Sequence, residues 1–192
     1  ARLVNLINSG KAKPWNILAV TFTNKAAREM RTRLESLIGS DCNFLWLGTF
    51  HSIAARILRE HAELVNLKSN FTIINPDDQK RLLKELIVFE GLDDKKITPQ
   101  FVSLMINSWK DKGFTYKDIL NSEQSYLLEG KAGKIYKEYQ SRLASLNYVD
   151  FADLLLHNLN IFNNNHDVLE GFKNKIKYFL IDEYQDTNTA QY

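Results

Sequence analysis

The stretch YFLIDEYQDTN (residues 178–188) decides the fold that the sequence predicts, because an apolar strand there runs directly into carboxylates. Four consecutive apolar residues, Tyr178 to Ile181, are followed by Asp182 and Glu183. In parallel sheets that carry helices on their faces, ligands bind beyond the carboxyl ends of the strands. Acids at such an end either cap the next helix or hold Mg²⁺ against phosphate groups. The pattern is typical of an α/β protein, and these few residues leave both roles open.

Two strand–helix pairs earlier in the chain predict the rest of the sheet. Apolar runs at 16–22 and 43–50 predict buried strands, and each is followed by an amphipathic helix pattern, at 23–39 and 51–65. Strands that alternate with helices predict a parallel sheet with crossover helices. The last strand, at 178–181, is expected to rejoin this sheet.

The long segment between these strands predicts a different kind of structure. From residue 75 to about 162 the patterns are helical, and Asn75-Pro76 and Thr98-Pro99 are typical helix starts. The sequence therefore predicts an α/β sheet that is interrupted by an inserted, all-helical subdomain. Residues 1–10 predict a helix that lacks a start signal, so we expect the chain to be an internal piece of a longer protein.

The bulk composition narrows the class of protein and its partners. Of 192 residues, 44% are apolar and 25% are charged, which is the balance of a soluble globular protein. The single cysteine rules out an internal disulfide, and no apolar run reaches membrane-spanning length, so we expect a cytoplasmic protein without a membrane partner. Residues 1–60 hold nine Lys or Arg against four Asp or Glu, a net charge of +5. That excess indicates either a polyanion partner or an ordinary solvated face.

A phosphate-binding loop of the Walker A type, G-x-x-x-x-G-K-[ST], does not occur in the sequence. SGKA at 9–12 lacks the first glycine and the hydroxyl residue, and GKAGK at 130–134 has the wrong glycine spacing. Both segments are interpreted as surface turns. If Asp182 serves a nucleotide, we expect the loop to precede residue 1 in the longer protein.

Six stretches together carry a resemblance to a known family: AVTFTNKAAREMR (19–31), GTFHS (48–52), FTIINPDDQ (71–79), YKEYQSRL (136–143), YVDFADLL (148–155) and DEYQDTN (182–188). The first, second and last resemble motifs Ia, Ib and II of superfamily-one DNA helicases of the UvrD/Rep/PcrA type. The other three resemble the helical subdomain of that family, and order and spacing match throughout. The resemblance implies a partial RecA-like P-loop domain at 1–65 and 175–192 and an inserted helical subdomain at 66–174.

The resemblance also implies roles for the two acids after the last strand. Asp182 matches the acid that coordinates Mg²⁺ of the bound ATP, and Glu183 matches the catalytic base. Such a base accepts a proton from the water that attacks the γ-phosphate. ATP and Mg²⁺ are therefore the implied substrate and cofactor of the longer protein. Because the phosphate loop is missing, we expect the 192-residue chain alone to lack ATPase activity.

DNA contacts are implied by the resemblance at motifs Ia and Ib. Phe22 matches an aromatic residue that contacts a base, Thr23 and Asn24 lie in the same strand-contacting turn, and Thr49 and His51 match positions near the DNA backbone. From the residues alone, an aromatic ring at a strand exit is either a stacking platform or part of the core.

Three further features are interpreted from the type and position of the residues. Phe50 is interpreted as core. The arginines of the helix at 23–39 are interpreted as a solvated face, and none is assigned to a site. A further hypothesis places Lys110 against duplex DNA.

The function that these features predict is that of an ATP-dependent helicase moving 3′-to-5′ on single-stranded DNA and opening single-strand/duplex junctions, in repair or replication. Two alternatives remain open. The longer protein could be a helicase–nuclease subunit of the RecB/AddA kind, or the chain could be a non-catalytic DNA- or protein-binding module. The sequence beyond residue 192 and before residue 1 distinguishes them.

Overall fold

The computed structural model describes residues 2–182, Thr187 and Gln191. The described residues fall into two compact units, one within Ala1–Ile57 and Ile161–Thr187 and the other within Leu58–Asn160. The first, the sheet unit, is built from two separate stretches of chain, and the second, the helical unit, lies between them in sequence. In the described part of the chain, no helix is both long and apolar enough to cross a membrane.

The described residues form ten α-helices, which are, in chain order, α1 (Arg2–Asn8), α2 (Asn24–Ile38), α3 (Phe50–Glu60), α4 (Pro76–Phe89), α5 (Pro99–Asp111), α6 (Tyr116–Leu120), α7 (Leu127–Gly130), α8 (Ala132–Ser145), α9 (Asp153–Asn164) and α10 (His166–Lys175). They form five strands: β1 (Ile17–Thr21), β2 (Trp46–Thr49), β3 (Thr72–Ile73), β4 (Tyr148–Val149) and β5 (Tyr178–Ile181). The predicted α/β class, with a parallel sheet and an inserted helical part, is confirmed.

The sheet unit is organised around three parallel strands in the order β2-β1-β5. Ile17 pairs with Tyr178, and Leu18 pairs with Trp46, so the three strands begin and end at nearly the same level. All five residues of β1 are buried, as expected for a central strand that is covered on both faces. The carboxyl ends of the strands therefore form one edge of the sheet, the carboxyl edge, and their starts form the opposite, amino edge.

Two element bounds in the sheet unit differ from the sequence expectation. The strand expected at 43–50 is shorter, because residues Gly39–Phe44 form a 3₁₀ turn that buries Cys42 before β2 begins at Trp46. The helix expected at 51–65 ends at Glu60, and a second 3₁₀ turn covers Ala62–Val65. Both changes replace regular structure with tighter turns that apolar periodicity alone does not distinguish from a helix or strand.

The helical unit has an apolar core to which α4, α5, α6 and α8 contribute. Trp109 stacks on Tyr136, with ring centroids 5.8 Å apart, and Tyr116 meets the same ring edge-on. Asn75 caps α4 and Thr98 caps α5, as the sequence predicted. The short parallel pair of β3 with β4 was not predicted, because strands of two residues carry no periodicity.

Lys110 is fully buried in the helical unit, so the hypothesis that it contacts duplex DNA is wrong. Its Nζ atom lies 2.6 Å from Asp150 Oδ2 and 2.7 Å from Asp153 Oδ1. Tyr139 donates its hydroxyl hydrogen to Asp150 over 2.9 Å, and Gln140 donates to Asp153 over 3.0 Å. A buried ammonium needs paired carboxylates of this kind. We call these five residues the lysine network.

The aspartates of the lysine network have shifted pKa values in opposite directions. Burial, reinforced by the neighbouring Asp153 carboxylate, raises the pKa of Asp150. Burial would also raise the pKa of Asp153, but Lys110 and His157 together hold it below its usual value. Burial lowers the pKa of the His157 imidazole, against the opposing effect of the Asp153 carboxylate.

Candidate functional site

The carboxyl edge of the sheet collects the predicted DNA-contacting residues. Thr23 follows β1 and caps α2, since its Oγ1 accepts a hydrogen bond from Ala26 N over 3.1 Å. Thr49 ends β2 and caps α3, since its Oγ1 accepts from Ser52 N over 3.2 Å. A capping hydroxyl still has its own hydrogen to donate. Both helices therefore begin at this edge, where their backbone N–H groups and dipoles favour an anion.

A cleft at this edge is shared by α2, β2 and the start of α3. It has a volume of about 290 Å³. The polar or small residues that line it are Asn24, Ala27, Arg28, Arg31, Gly48, Thr49 and Ser52. We call it the arginine cleft. Two predicted residues from different motifs, Asn24 and Thr49, thus line one concave surface together with two cations.

The wall of the arginine cleft is held by local contacts. Ser52 donates its hydroxyl hydrogen to Thr49 O over 2.9 Å, which fixes the turn from β2 into α3. A Cβ atom at Gly48 would lie 2.3 Å from Ser52 Oγ, so any other residue there would displace the Ser52 hydroxyl. Arg31 Nη2 donates to Leu47 O over 3.5 Å, which holds the guanidinium against the strand. The cleft is therefore shaped by packing within the sheet unit itself.

The two phenylalanines at the strand exits form a pair. The ring centroids of Phe22 and Phe50 lie 5.4 Å apart, in an edge-to-face arrangement. Phe50 is buried, which confirms its interpretation as a core residue, whereas Phe22 is half-buried. Phe50 therefore supports Phe22 from behind. His51 lies in the first turn of α3 and is partly buried.

Asp182 lies at the same edge but faces a different cleft. The ladder between β1 and β5 extends to it, since Asp182 N donates to Val20 O over 3.0 Å, and the residue is exposed. It lines a cleft of about 440 Å³ between α1, α2 and β5, the Asp182 cleft, which also includes Glu29 and Arg33. Helix α2 thus separates the two clefts and lines each with a different face. Glu183, the expected catalytic base, lies outside the described residues.

The Asp182 carboxylate fits a Mg²⁺ site of the kind that uses few protein ligands. Mg²⁺ is commonly bound through one or two carboxylates, with water and substrate phosphates completing an octahedron. Among the described residues, no group of three His, Cys, Asp or Glu side chains is arranged to hold a metal ion by itself. Asp182 would therefore be one ligand among several supplied by phosphate and water.

The sequence matches a family model described as the UvrD/REP helicase N-terminal domain, over residues 1–192. The chain belongs to this helicase family. The resemblance drawn from motifs Ia, Ib and II is therefore confirmed, together with the fold that it implies. Membership of the family does not by itself assign a role to each residue.

Relatives of this UvrD/REP family member carry helicase names. The chain is 46% identical over 194 residues to a probable DNA helicase II homolog of Rickettsia conorii, and it covers 29% of that protein. It is 39% identical over 191 residues to the ATP-dependent DNA helicase PcrA of Staphylococcus epidermidis, of which it covers 26%. Both matches include the whole of this chain. The chain thus spans between a quarter and a third of the length of these relatives.

Two cleft residues of this UvrD/REP domain, Arg28 and Arg31, were not predicted from the sequence. The arginines of α2 were assigned to a solvated face, yet these two line the arginine cleft, while Arg33 lines the Asp182 cleft. A signal was available, because residues 24, 28 and 31 recur at helical spacing and so share one face of α2. Asn24, already a candidate, marks that face as the one turned to the cleft.

Proposed function

We propose that this chain is part of an ATP-dependent DNA helicase that couples hydrolysis of Mg²⁺-ATP to 3′-to-5′ movement along single-stranded DNA. The observation that carries the proposal is the arginine cleft, in a member of the UvrD/REP family. Side chains from motifs Ia and Ib line it together with two arginines. Arginine is suited to phosphate because its planar guanidinium can donate two parallel hydrogen bonds.

The DNA-binding part of the proposal assigns the phosphates to the arginine cleft and a base to Phe22. Arg28 and Arg31 supply positive charge, and the starts of α2 and α3 supply backbone donors. Thr23, Asn24, Thr49 and His51 contribute at the backbone of the strand. Phe22 packs edge-to-face against the buried Phe50 ring, and stacking of one base on an aromatic side chain contributes roughly 1–3 kcal/mol.

The ATP-binding part of the proposal assigns Asp182 to Mg²⁺ and Glu183 to the attacking water. The metal, when bound, neutralises charge on the β- and γ-phosphates. Asp182 extends the β5 ladder, so its backbone is held at the carboxyl edge. Glu183, one residue later in the chain, accepts the proton of the water.

The remaining assignments follow from the family. We assign the sheet unit to part of the first RecA-like domain, predicted at residues 1–65 and 175–192, and the helical unit to the inserted helical subdomain, predicted at residues 66–174. We expect the whole protein to act in the cytoplasm on single strands and single-strand/duplex junctions, with repair or replication proteins as partners. Residues 1–192 contain no phosphate loop, so we expect this chain alone to show no ATPase activity.

Arg28 provides the test of the DNA-binding part. Replacing it with Gln should weaken binding of a labelled oligo(dT) and reduce the salt dependence of log K by about 0.7, the value for one lost phosphate contact on a single strand. Arg33→Gln is the matched control, because Arg33 is on the same helix but lines the other cleft. Equal effects of the two substitutions would contradict the assignment of phosphates to the arginine cleft.

Glu183 and Asp182 provide the test of the ATP-binding part, in the full-length protein. Glu183→Gln should lower ATP turnover by about 10²–10⁴-fold, the usual contribution of a general base, and leave DNA binding intact. Asp182→Asn should make turnover require a higher Mg²⁺ concentration. Unchanged turnover in Glu183→Gln would contradict the assignment of Glu183 as the base. Glu183-dependent turnover by the 192-residue chain would contradict only the expectation that this chain alone is inactive.

A further inference from the structure

The amino edge of the sheet, opposite the arginine cleft, is built from three segments that hydrogen bonds and ring contacts hold together. Asn16 Nδ2 donates to Lys175 O over 2.8 Å, and Lys177 N donates to Asn16 O over 2.8 Å. Tyr178 donates its hydroxyl hydrogen to Lys11 O over 3.2 Å. The segments before β1 and β5 thus form one continuous surface.

Two aromatic side chains are exposed at this edge. Trp15 is 49% exposed and Phe44 is 58% exposed, and their ring centroids lie 6.4 Å apart in an edge-to-face arrangement. By contrast, Trp46 and Trp109 are almost fully buried, at 2% and 4%. The pair joins the third segment, before β2, to the other two. Large rings placed together at the surface are typical of a binding surface rather than of a core.

Positive charge surrounds this aromatic pair. The segments 11–16, 40–45 and 170–178 contain five lysines and two acids, a net charge of +3. The lysines, all exposed, are Lys11, Lys13, Lys173, Lys175 and Lys177. One of the two acids, Glu170, is already paired with Lys173 over 2.9 Å. The surface therefore presents exposed rings within an excess of ammonium groups.

We propose that this surface, the amino-edge patch, is a second binding site for single-stranded nucleic acid. Lysines that follow a phosphate backbone, combined with aromatic rings on which bases stack, are the features of sequence-independent single-strand binding. The excess of lysine favours a polyanion over an apolar protein partner. The exposed rings favour unpaired bases over duplex, whose bases are already stacked.

The patch is separate from the arginine cleft, so each can be altered alone. Strand β1, five residues long, lies between the two edges, which are on the order of 15 Å apart. Nucleotides bound in the arginine cleft therefore leave Trp15 and Phe44 free for other nucleotides. The proposal therefore stands or fails independently of the helicase function.

Tryptophan fluorescence provides the first test, because Trp15 is exposed while Trp46 and Trp109 are buried. Addition of oligo(dT) at low salt should quench the emission of Trp15. The Trp15→Phe variant lacks this emission and should not show the quenching. Phe44→Ala should reduce this quenching, whereas Phe89→Ala, which removes an exposed ring from the helical unit, should not. Absence of Trp15 quenching by oligo(dT), or equal quenching by polyglutamate, would overturn the proposal, the latter in favour of an acidic protein partner.

The salt dependence of binding provides the second test. Replacing both Lys13 and Lys177 with Gln should reduce the salt slope of log K for oligo(dT), followed by quenching of Trp15, by about 1.4, since each phosphate contact on a single strand contributes about 0.7. Lys95→Gln combined with Lys96→Gln is the matched control in the helical unit. A slope unchanged by the amino-edge pair, or changed equally by the control pair, would overturn the proposal. Far-UV circular dichroism checks that each variant is folded.

Discussion

The two units of this chain differ in where they keep their charges. In the sheet unit the buried cluster is apolar, and Arg28, Arg31 and Asp182 lie at the carboxyl edge, where they line clefts. In the helical unit the lysine network takes one ammonium and two carboxylates out of water. The same residue types therefore line open clefts in one unit and pair with one another inside the core of the other. Charge at a strand end, not charge as such, indicates a ligand site.

This difference follows from the topology of each unit. Parallel strands end together, so side chains just past their ends are brought to one edge without being covered. Helices packed around a common core have no such edge, and a long side chain that points inward must find partners there. Lys110 finds them in Asp150 and Asp153, at the turn between β4 and α9.

We expect the largest loss of stability from removal of Lys110. Lys110→Met leaves two buried carboxylates without their cation, and breaking a buried pair of this kind costs about 3–5 kcal/mol. Urea unfolding followed by circular dichroism measures the loss. Lys112→Met, at an exposed position two residues later, should change the free energy of unfolding by no more than about 0.5 kcal/mol. Similar stabilities of the two variants would mean that the network does not hold the helical unit together.

A matched pair of glycines tests how tightly each unit is packed. A Cβ atom at Gly133 in α8 would lie 2.7 Å from Leu120 Cδ2 and 2.9 Å from its Cγ, so Gly133→Ala should destabilise by about 1–3 kcal/mol. A Cβ atom at Gly171 in α10 would have no atom within 4 Å, so Gly171→Ala should stabilise by about 0.5–1 kcal/mol through helix propensity.

Thermal unfolding measures both glycine variants. A Gly133→Ala variant at least as stable as wild type would show that close packing between α6 and α8 does not set the spacing in the helical unit.

The fold was largely predictable because its signals are local. Four apolar residues before an acid predict strand β5, and the dipeptides Asn-Pro and Thr-Pro predict the caps of α4 and α5. Short turns were not predictable, since the 3₁₀ segment Gly39–Phe44 carries apolar residues at a spacing that a strand also allows.

The candidate site was only partly predictable, because side-chain direction depends on tertiary packing. Arg28 and Arg33 look alike in sequence, yet they line different clefts. Lys110 and Lys112 also look alike, yet one is buried and the other exposed. A helical wheel could group Arg28 with Asn24, but only the packed structure shows which face turns to β2 and which lysine meets the aspartates.

Asp118 is a carboxylate of the helical unit that stays at the surface, unlike the buried Asp150 and Asp153. Thr115 donates to Asp118 Oδ2 from its hydroxyl over 2.6 Å and from its backbone N–H over 2.7 Å, at the start of α6. These two bonds, the hydroxyl first, hold the pKa of Asp118 below its usual value near 3.8.

The charge of Asp118 makes stability depend on pH. Because the pKa is lower in the folded state, the stabilisation of the fold by the ionised carboxylate is complete above pH 3.8 and is lost as the pH falls through the folded pKa. Asp118→Asn should therefore cost at most about 1 kcal/mol at pH 7, as expected for an exposed helix cap, and the difference from wild type should shrink as the pH falls below 3.8. Urea unfolding of both proteins at neutral and at acidic pH measures this, and a difference that does not change with pH would show that the cap does not depend on the charge of the carboxylate.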